Sequence, residues 1–169
     1  MNISFYNVTV PLFTRGLHNL LLILDKTTLH AQTNKPDIQN LLQARLAPDM
    51  FNCIQQVQYS YYHALDVIEK IAGRKAEKLA YEEKTVSELK ESINRVLEFL
   101  TSVAPEEIDG KETLEIPRYD DKTKSAPAFL YVTQVSLPNF YFHITTAYDI
   151  LRANGVPLHK TDYLQEPKL

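Results

Sequence analysis

Cysteine is almost missing from this chain: Cys53 is the only one among 169 residues. An intramolecular disulfide is therefore excluded, as is a zinc site built from clustered cysteines. A lone thiol fits a reducing compartment, most simply the cytoplasm. Glycine is scarce, with 4 residues, which disfavours a fold of many tight hairpins. No apolar run approaches the roughly 20 residues needed to span a bilayer, so no membrane association is expected. The opening stretch "MNISFYNVTV" has neither the charged segment nor the small-residue cleavage site of a secretory leader. Basic residues number 18 against 21 acidic ones, for a net charge of −3, and they are scattered. That distribution lacks the basic footprint of a nucleic-acid binder, so no nucleic-acid partner is expected. Phosphate-cradling loops, GxSxG, HExxH and calcium loops are missing too. No motif announces a reaction, and the catalytic residues stay unknown.

What is present is helical periodicity. Hydrophobic residues make up 44% and charged residues 23%, a globular balance, and the length suits one domain over 1–169. Apolar residues recur at helical spacing in four blocks. The first helix is expected over about 4–31, with Phe5, Val8, Leu12, Phe13, Leu20, Ile23 and Leu24 on one face and His30 on the same line. Pro11 either kinks it or marks its true start. Pro36 and Pro48 bracket a short helical piece within 38–46. Asp49 is a candidate cap for the second helix, about 49–72, whose core stripe is Met50, Ile54, Val57, Tyr61, Leu65 and Ile68, with Gly73 as its stop. Thr85 and Glu88 read as a capping box opening a third helix, about 86–103. The fourth, about 138–154, takes Ser136 as cap and buries Phe140, Ile144, Ala147 and Leu151. Between them, "ETLEIPR" and "AFLYVTQV" flank "YDDKTKS". Their composition predicts a short β-hairpin or extended excursion over about 112–135. The tail from Leu158 reads as irregular. The fold class is thus all-α, a four-helix bundle whose long excursion before the last helix permits a crossover.

His143 lies at the edge of the fourth helix's apolar face. Three readings are open: a buried structural histidine with a polar partner, a cavity-lining residue, or a metal ligand. His30 is either a helix-end residue or the partner of His143 across a cavity. Gln55, Gln58 and Tyr62 form a polar strip beside the second helix's core stripe. A small-molecule pocket lined by Gln58, Tyr62, His143 and Tyr148 is one outcome. A hydrogen-bond network that only fixes helix register is the other. Cys53 falls on the margin of the apolar face and reads as inert and buried. Glu82-Glu83 and Asp120-Asp121 read as solvated loop charges. Tyr59, Tyr62 and Phe142 project off the core stripes, and exposed aromatic residues mark interfaces. A symmetric homodimer is expected.

"LLQARLAPDMF" followed by "QQVQ", and "LPNFYFHITTAYDILRANGVPLHKTDYL" near the C-terminus, resemble a domain-of-unknown-function family similar to the DinB/YfiT-like metalloenzyme superfamily. The resemblance spans roughly 3–165. It implies a DinB-like four-helix bundle, often dimeric. In metal-binding relatives, three histidines line a cavity, one from the second helix and two from the fourth, spaced i, i+4; some relatives are thiol-dependent transferases or hydrolases. In this chain the position four after His143 is Ala147 and the position four before it is Asn139; a register one turn different gives Phe140 and Ile144. His63 projects onto a polar face with Asn52, Gln56, Asp66 and Lys70, away from the core stripe. No metal or other cofactor is therefore expected. The expected function is a dimeric module that binds a small apolar ligand or is purely structural. The alternative is a metal-assisted transferase or hydrolase of the DinB/YfiT-like type.

Overall fold

The computed structural model describes residues 4–34 and 37–164. After a 3-10 turn at Tyr6–Val8, helix α1 runs from Val10 to Asn34. Pro11 falls in its first turn, where the missing N–H has no helical partner to lose. Phe5 and Val8, expected on the first helix, therefore belong to the separate 3-10 turn and its cap. A short helix α2, Ile38–Gln43, is capped by Asp37, whose side chain accepts from Gln39 N. Pro36, expected to bracket it, lies outside the described residues.

Helix α3 spans Cys53–Ala72. Its cap is Asn52, not Asp49. The Asn52 side chain accepts from Gln55 N at 2.9 Å, and the Gln55 side chain accepts from Asn52 N at 3.1 Å. Gly73, at φ 74°, ends the helix with its N–H on Glu69 O. Helix α4, Val86–Thr101, opens on the expected box of Thr85 and Glu88.

Strands β1 (Glu115–Pro117) and β2 (Ser125–Pro127) pair antiparallel, Ile116 facing Ala126. The hairpin is where the composition put it, but its second arm is not "AFLYVTQV". That stretch is already helix: α5 (Ala128–Tyr131), a π turn (Val132–Ser136) and α6 (Leu137–Ala153) follow without a break. Pro138 explains the π turn. A proline in a regular helix removes one bond and clashes with the carbonyl four residues back, and a widened turn accommodates both effects. Leu137 N reaches Val132 O, and Asn139 Nδ2 satisfies Val135 O at 2.7 Å. Ser136 is therefore inside the helix and does not cap it. The expected irregular tail instead forms a short helix α7, Lys160–Leu164, tied to α1 by Lys26–Asp162 and by Asn19 Nδ2 donating to Tyr163 O, each at 2.7 Å.

Cross-bundle contacts set the topology. Gln56 meets His143 while Asp66 meets Tyr131, so α3 and α6 are antiparallel. Asp25 pairs with Lys90, and Tyr6 N donates to Asp109, so α1 and α4 are antiparallel too. Tyr141 touches Leu12 and Gly155 lies beside His30, which makes α1 and α6 parallel. By the same token α3 and α4 run in one direction, with Arg74 bonded to Ser102. The crossover is therefore the connection over 73–85, which returns along α3, and not the excursion before the last helix. It is fixed at one end by Ala76 N on Glu69 Oε1 at 2.6 Å and at the other by Glu83. The core between the helices includes Phe13, Leu17, Leu20, Tyr61, Ile68, Leu89, Ile93 and Phe140. α1 and α6 approach so closely at Gly16 that a Cβ there would lie 2.4 Å from the Phe140 ring. No helix among the described residues is long and apolar enough to cross a membrane.

Candidate functional site

The polar side of α3 does not face solvent. It meets α6, and His63 is only 4% exposed there, His143 7%. Their rings stack, with centroids 5.5 Å apart and planes 13° from parallel. The local cause is a second buried stripe on α3. Cys53, Val57, Ser60, Ala64, Val67 and Ile71 are all buried, and at about 100° per residue they form one line. The small side chains in that line let α6 come close, and the closeness covers the neighbouring polar residues Gln56 and His63.

His143 Nδ1 lies 2.7 Å from Gln56 Oε1. The amide is oriented by its own Nε2, which donates to Phe51 O at 3.3 Å. Oε1 is thus the acceptor, Nδ1 carries the proton, and Nε2 keeps a free electron pair. Burial pushes the His143 pKa down to about 4, helped by the neighbouring His63. Burial likewise pushes His63 down to about 4, against the pull of Asp66 and with a further push from Lys70. Both rings are neutral at pH 7.

Aromatic residues surround the pair. Tyr59 lies 5.4 Å from His143 and stacks on Phe51 at 4.6 Å; Phe142 stands edge-on to His143 at 5.4 Å. Beside them opens a cleft of about 540 Å³ walled by Gln58, Tyr59, Tyr62, Tyr81 and Tyr119. Tyr119 joins cleft and histidines, edge-on to His63 at 5.7 Å. A second groove of about 730 Å³ runs between α3 and the crossover and shares Tyr62 and Tyr81 with the first.

The crossover supplies Tyr81, whose φ of 57° is the only positive one at a non-glycine among the described residues. Such a conformation is costly and persists where surroundings impose it. Here Tyr81 stacks on Tyr61 at 5.5 Å. Tyr61 OH and Gln58 Nε2 donate to Glu83 at 2.7 and 2.8 Å, and Ser92 Oγ donates to the same carboxylate. Burial works to raise the Glu83 pKa, but these hydrogen bonds outweigh it and hold the carboxyl below its usual range. Glu83 is therefore an anchor rather than a solvated loop charge.

Of the residues the sequence singled out, Gln58 and Tyr62 share the cleft, with His143 behind it. Gln58 bonds Glu83 rather than His143, whose partner is Gln56. Tyr148 does not belong to this group: five positions past His143 on α6, about 140° around the helix, its ring packs on Tyr163 and its OH accepts from Arg152. His30 sits by Gly155, about 18 Å along α6 from His143 at helical rise. Cys53 is buried and its thiol pushed up to about 12 by that burial, so it is inert. His63 and Gln56, which the sequence placed on a polar face away from the core, are buried against α6, and Tyr81 and Tyr119 escaped the sequence reading. The run of small residues at 53, 60 and 64 was the one signal that α3 has two buried sides.

His63 and His143 come from the two helices that supply histidine ligands in metal-binding DinB-like proteins. The position four after His143 is Ala147, and among the described residues no group of three or more His, Cys, Asp or Glu side chains gathers as a metal site. Two donors fall short of that three-histidine set.

The chain is similar in structure to a DinB family member protein from Shewanella denitrificans, at a TM-score of 0.91 and 36% sequence identity over 97% of this chain and 93% of that one. No curated protein matches the chain. The model of the family described as Domain of unknown function (DUF1993) matches residues 5–164. With nearly the whole helical bundle covered by that match, the chain belongs to the DUF1993 family, and its fold is DinB-like.

Proposed function

We propose that this protein binds a small molecule in the tyrosine-walled cleft and works as a homodimer, with no reaction assigned to it. The observation that carries the reading is the joining of a cleft of about 540 Å³ to two buried, neutral, stacked histidines. Small-molecule sites occupy about 300–1,000 Å³, are lined by aromatic side chains and hold a few fixed polar groups. Gln58 and the tyrosine hydroxyls supply such groups here. A titration with the neutral dye N-phenyl-1-naphthylamine tests it, since the chain contains no tryptophan to interfere. Saturable fluorescence enhancement, lost in Tyr62→Ala, is the expected result. Unsaturable enhancement, or the same affinity in that variant, would place the ligand elsewhere or remove it.

The dimer rests on exposed aromatic side chains. Phe51 and Phe142 are 37% and 54% exposed, with Tyr59 at their border, and such patches favour burial by a partner. Light scattering at micromolar concentration checks the mass.

A second reading, a metal-assisted transferase or hydrolase, draws on the neutral state of His63 and His143, the state in which imidazole ligates. Elemental analysis of protein purified without a histidine tag tests it. One zinc or nickel per chain, lost in His143→Ala, would favour this reading over the first.

A further inference from the structure

The chemistry of the cleft walls points further, and the inference rests on the cleft being a ligand site. We infer that the ligand is an alkylated ammonium, a small cation such as a choline-type quaternary amine, held against the faces of Tyr59, Tyr62, Tyr81 and Tyr119. The walls are inclined to one another as the sides of a box are: Tyr59 and Tyr62 meet at 61° with centroids 6.0 Å apart, and Tyr62 and Tyr81 at 69° and 6.2 Å. Tyr119 completes the wall next to His63. Aromatic faces carry negative potential, and several faces around one volume are the arrangement that recognises quaternary ammonium groups.

Charge agrees with the rings. The carboxylate of Asp66 bears on the phenols of both Tyr62 and Tyr81, and those of Glu69 and Glu83 bear on Tyr81. Burial, then Tyr62 and these carboxylates, hold Tyr81 up at about 12, and Tyr62 is raised by burial and by Asp66. Two consequences follow. The phenols stay protonated at neutral pH, so the rings act through their π faces. Asp66 is offset by its pair with Lys70, and the field of Glu69 and Glu83 favours a cation and disfavours an anion. The two histidines behind Tyr59 and Tyr119 are neutral and add no competing positive charge. The same region already holds a cation on a tyrosine: Lys70 Nζ lies 5.1 Å from the Tyr131 ring centroid while paired to Asp66 at 2.8 Å. Lys70 is committed to that pair, which leaves the four cleft tyrosines for a ligand.

Charge and shape are separated by comparing choline with its neutral isostere, 3,3-dimethyl-1-butanol, by isothermal titration calorimetry on the full chain. Choline should bind saturably, and the isostere about tenfold or more weaker, the factor that a desolvated cation–π contact supplies. Tyr62→Phe, which keeps the π face, should retain choline affinity within about threefold, and Tyr62→Leu should lose about tenfold. Should Tyr62→Leu fail to fold, Tyr119→Leu carries the same test, because Tyr119 is 44% exposed and contributes little to the core. Equal affinities for choline and its isostere, or no saturable choline binding, would overturn the inference. N-phenyl-1-naphthylamine read alongside distinguishes the two levels. If the dye saturates and choline does not bind, the cleft stands and the ammonium assignment falls. If neither binds, both fall.

Discussion

Gln56 holds His143 by a single hydrogen bond, Nδ1 to Oε1 at 2.7 Å, and so decides that the free electron pair of the ring is on Nε2. The bond itself does not select a protonation state, because Nδ1–H donates to Oε1 in neutral and protonated imidazole alike, and burial is what keeps the ring neutral. Replacing Gln56 with Glu puts a carboxylate at the same distance and reverses the preference. The His143 pKa, now pushed down to about 4 by burial and by His63, should rise by about 2 units or more through the added opposite charge. An NMR titration of the His143 ring in Gln56→Glu checks this. An unmoved pKa would mean that Gln56 does not face Nδ1.

The depressed pKa values make stability depend on pH with a fixed sign. Unfolded histidine titrates near 6.5, whereas His63 and His143 take their protons near 4 in the fold. Between those values the unfolded chain binds more protons, so stability is full above about pH 6.5, falls as pH drops to about 4, and levels off below. Coupling between the two rings makes them titrate as a pair, and the effect for that pair is about 3 kcal/mol. Urea melts at several pH values should show this slope, and it should be clearly reduced in a His63→Gln, His143→Asn double variant, with the remainder coming from carboxylates such as Glu83. His143→Ala at pH 7.5 should cost about 1–3 kcal/mol for the lost hydrogen bond and packing, against no more than about 0.5 for the exposed His18→Ala. Equal stabilities would remove His143 from the structural framework.

The long helices were legible because their signals are local. Thr85 and Glu88 cap α4, and Gly73 stops α3, through contacts within a few residues. The start of the last helix was not, since "AFLYVTQV" has strand propensity and Pro138 looks like a first-turn proline. Only the π turn reconciles them with a helix, and its energetics depend on the packing of Tyr131 and Val132 into the core. The histidine pair was hidden for a different reason. A projection of α3 shows one apolar stripe and one polar face, and a polar face is normally solvated. Here α6 covers it, and a contact between residues 63 and 143 is not a property of either helix alone. Tyr81, Glu83 and Tyr119 come from segments without periodicity, so nothing local announced them.

Gly16 offers a test of the close approach of α1 and α6. An alanine Cβ there would lie 2.4 and 2.6 Å from two Phe140 ring atoms and 3.1 Å from Ile144 Cδ1. Phe140 is fully buried and edge-on to Phe13 at 4.9 Å, so it has little room to move. Alanine gains about 1 kcal/mol in helix propensity, while overpacking costs about 1–3 kcal/mol or more. Gly16→Ala should therefore be net destabilising in denaturant melts. A stabilised variant would show that the two helices can separate freely.

The crossover should come loose when Glu83 is changed. Its carboxylate accepts from Tyr61, Gln58 and Ser92, and these contacts fix the segment that carries Tyr81 into the cleft wall. A glutamine at this position keeps one acceptor oxygen and turns an N–H toward a donor, so at least one partly buried donor loses its partner. Glu83→Gln should cost about 1–3 kcal/mol on that account. Limited proteolysis with trypsin reads the local effect, because Lys75, Lys78 and Lys84 all lie in the crossover. Cleavage there should speed up well before the helices open, since connections give way at lower free energy than the core they span. The exposed neighbour Glu82→Gln is the control and should leave the rate unchanged. Dye binding in the cleft should weaken in Glu83→Gln alone, through the misplaced Tyr81. If both variants are cut at the wild-type rate, the crossover is held by its burial of Leu79, and Glu83 has no part in shaping the site.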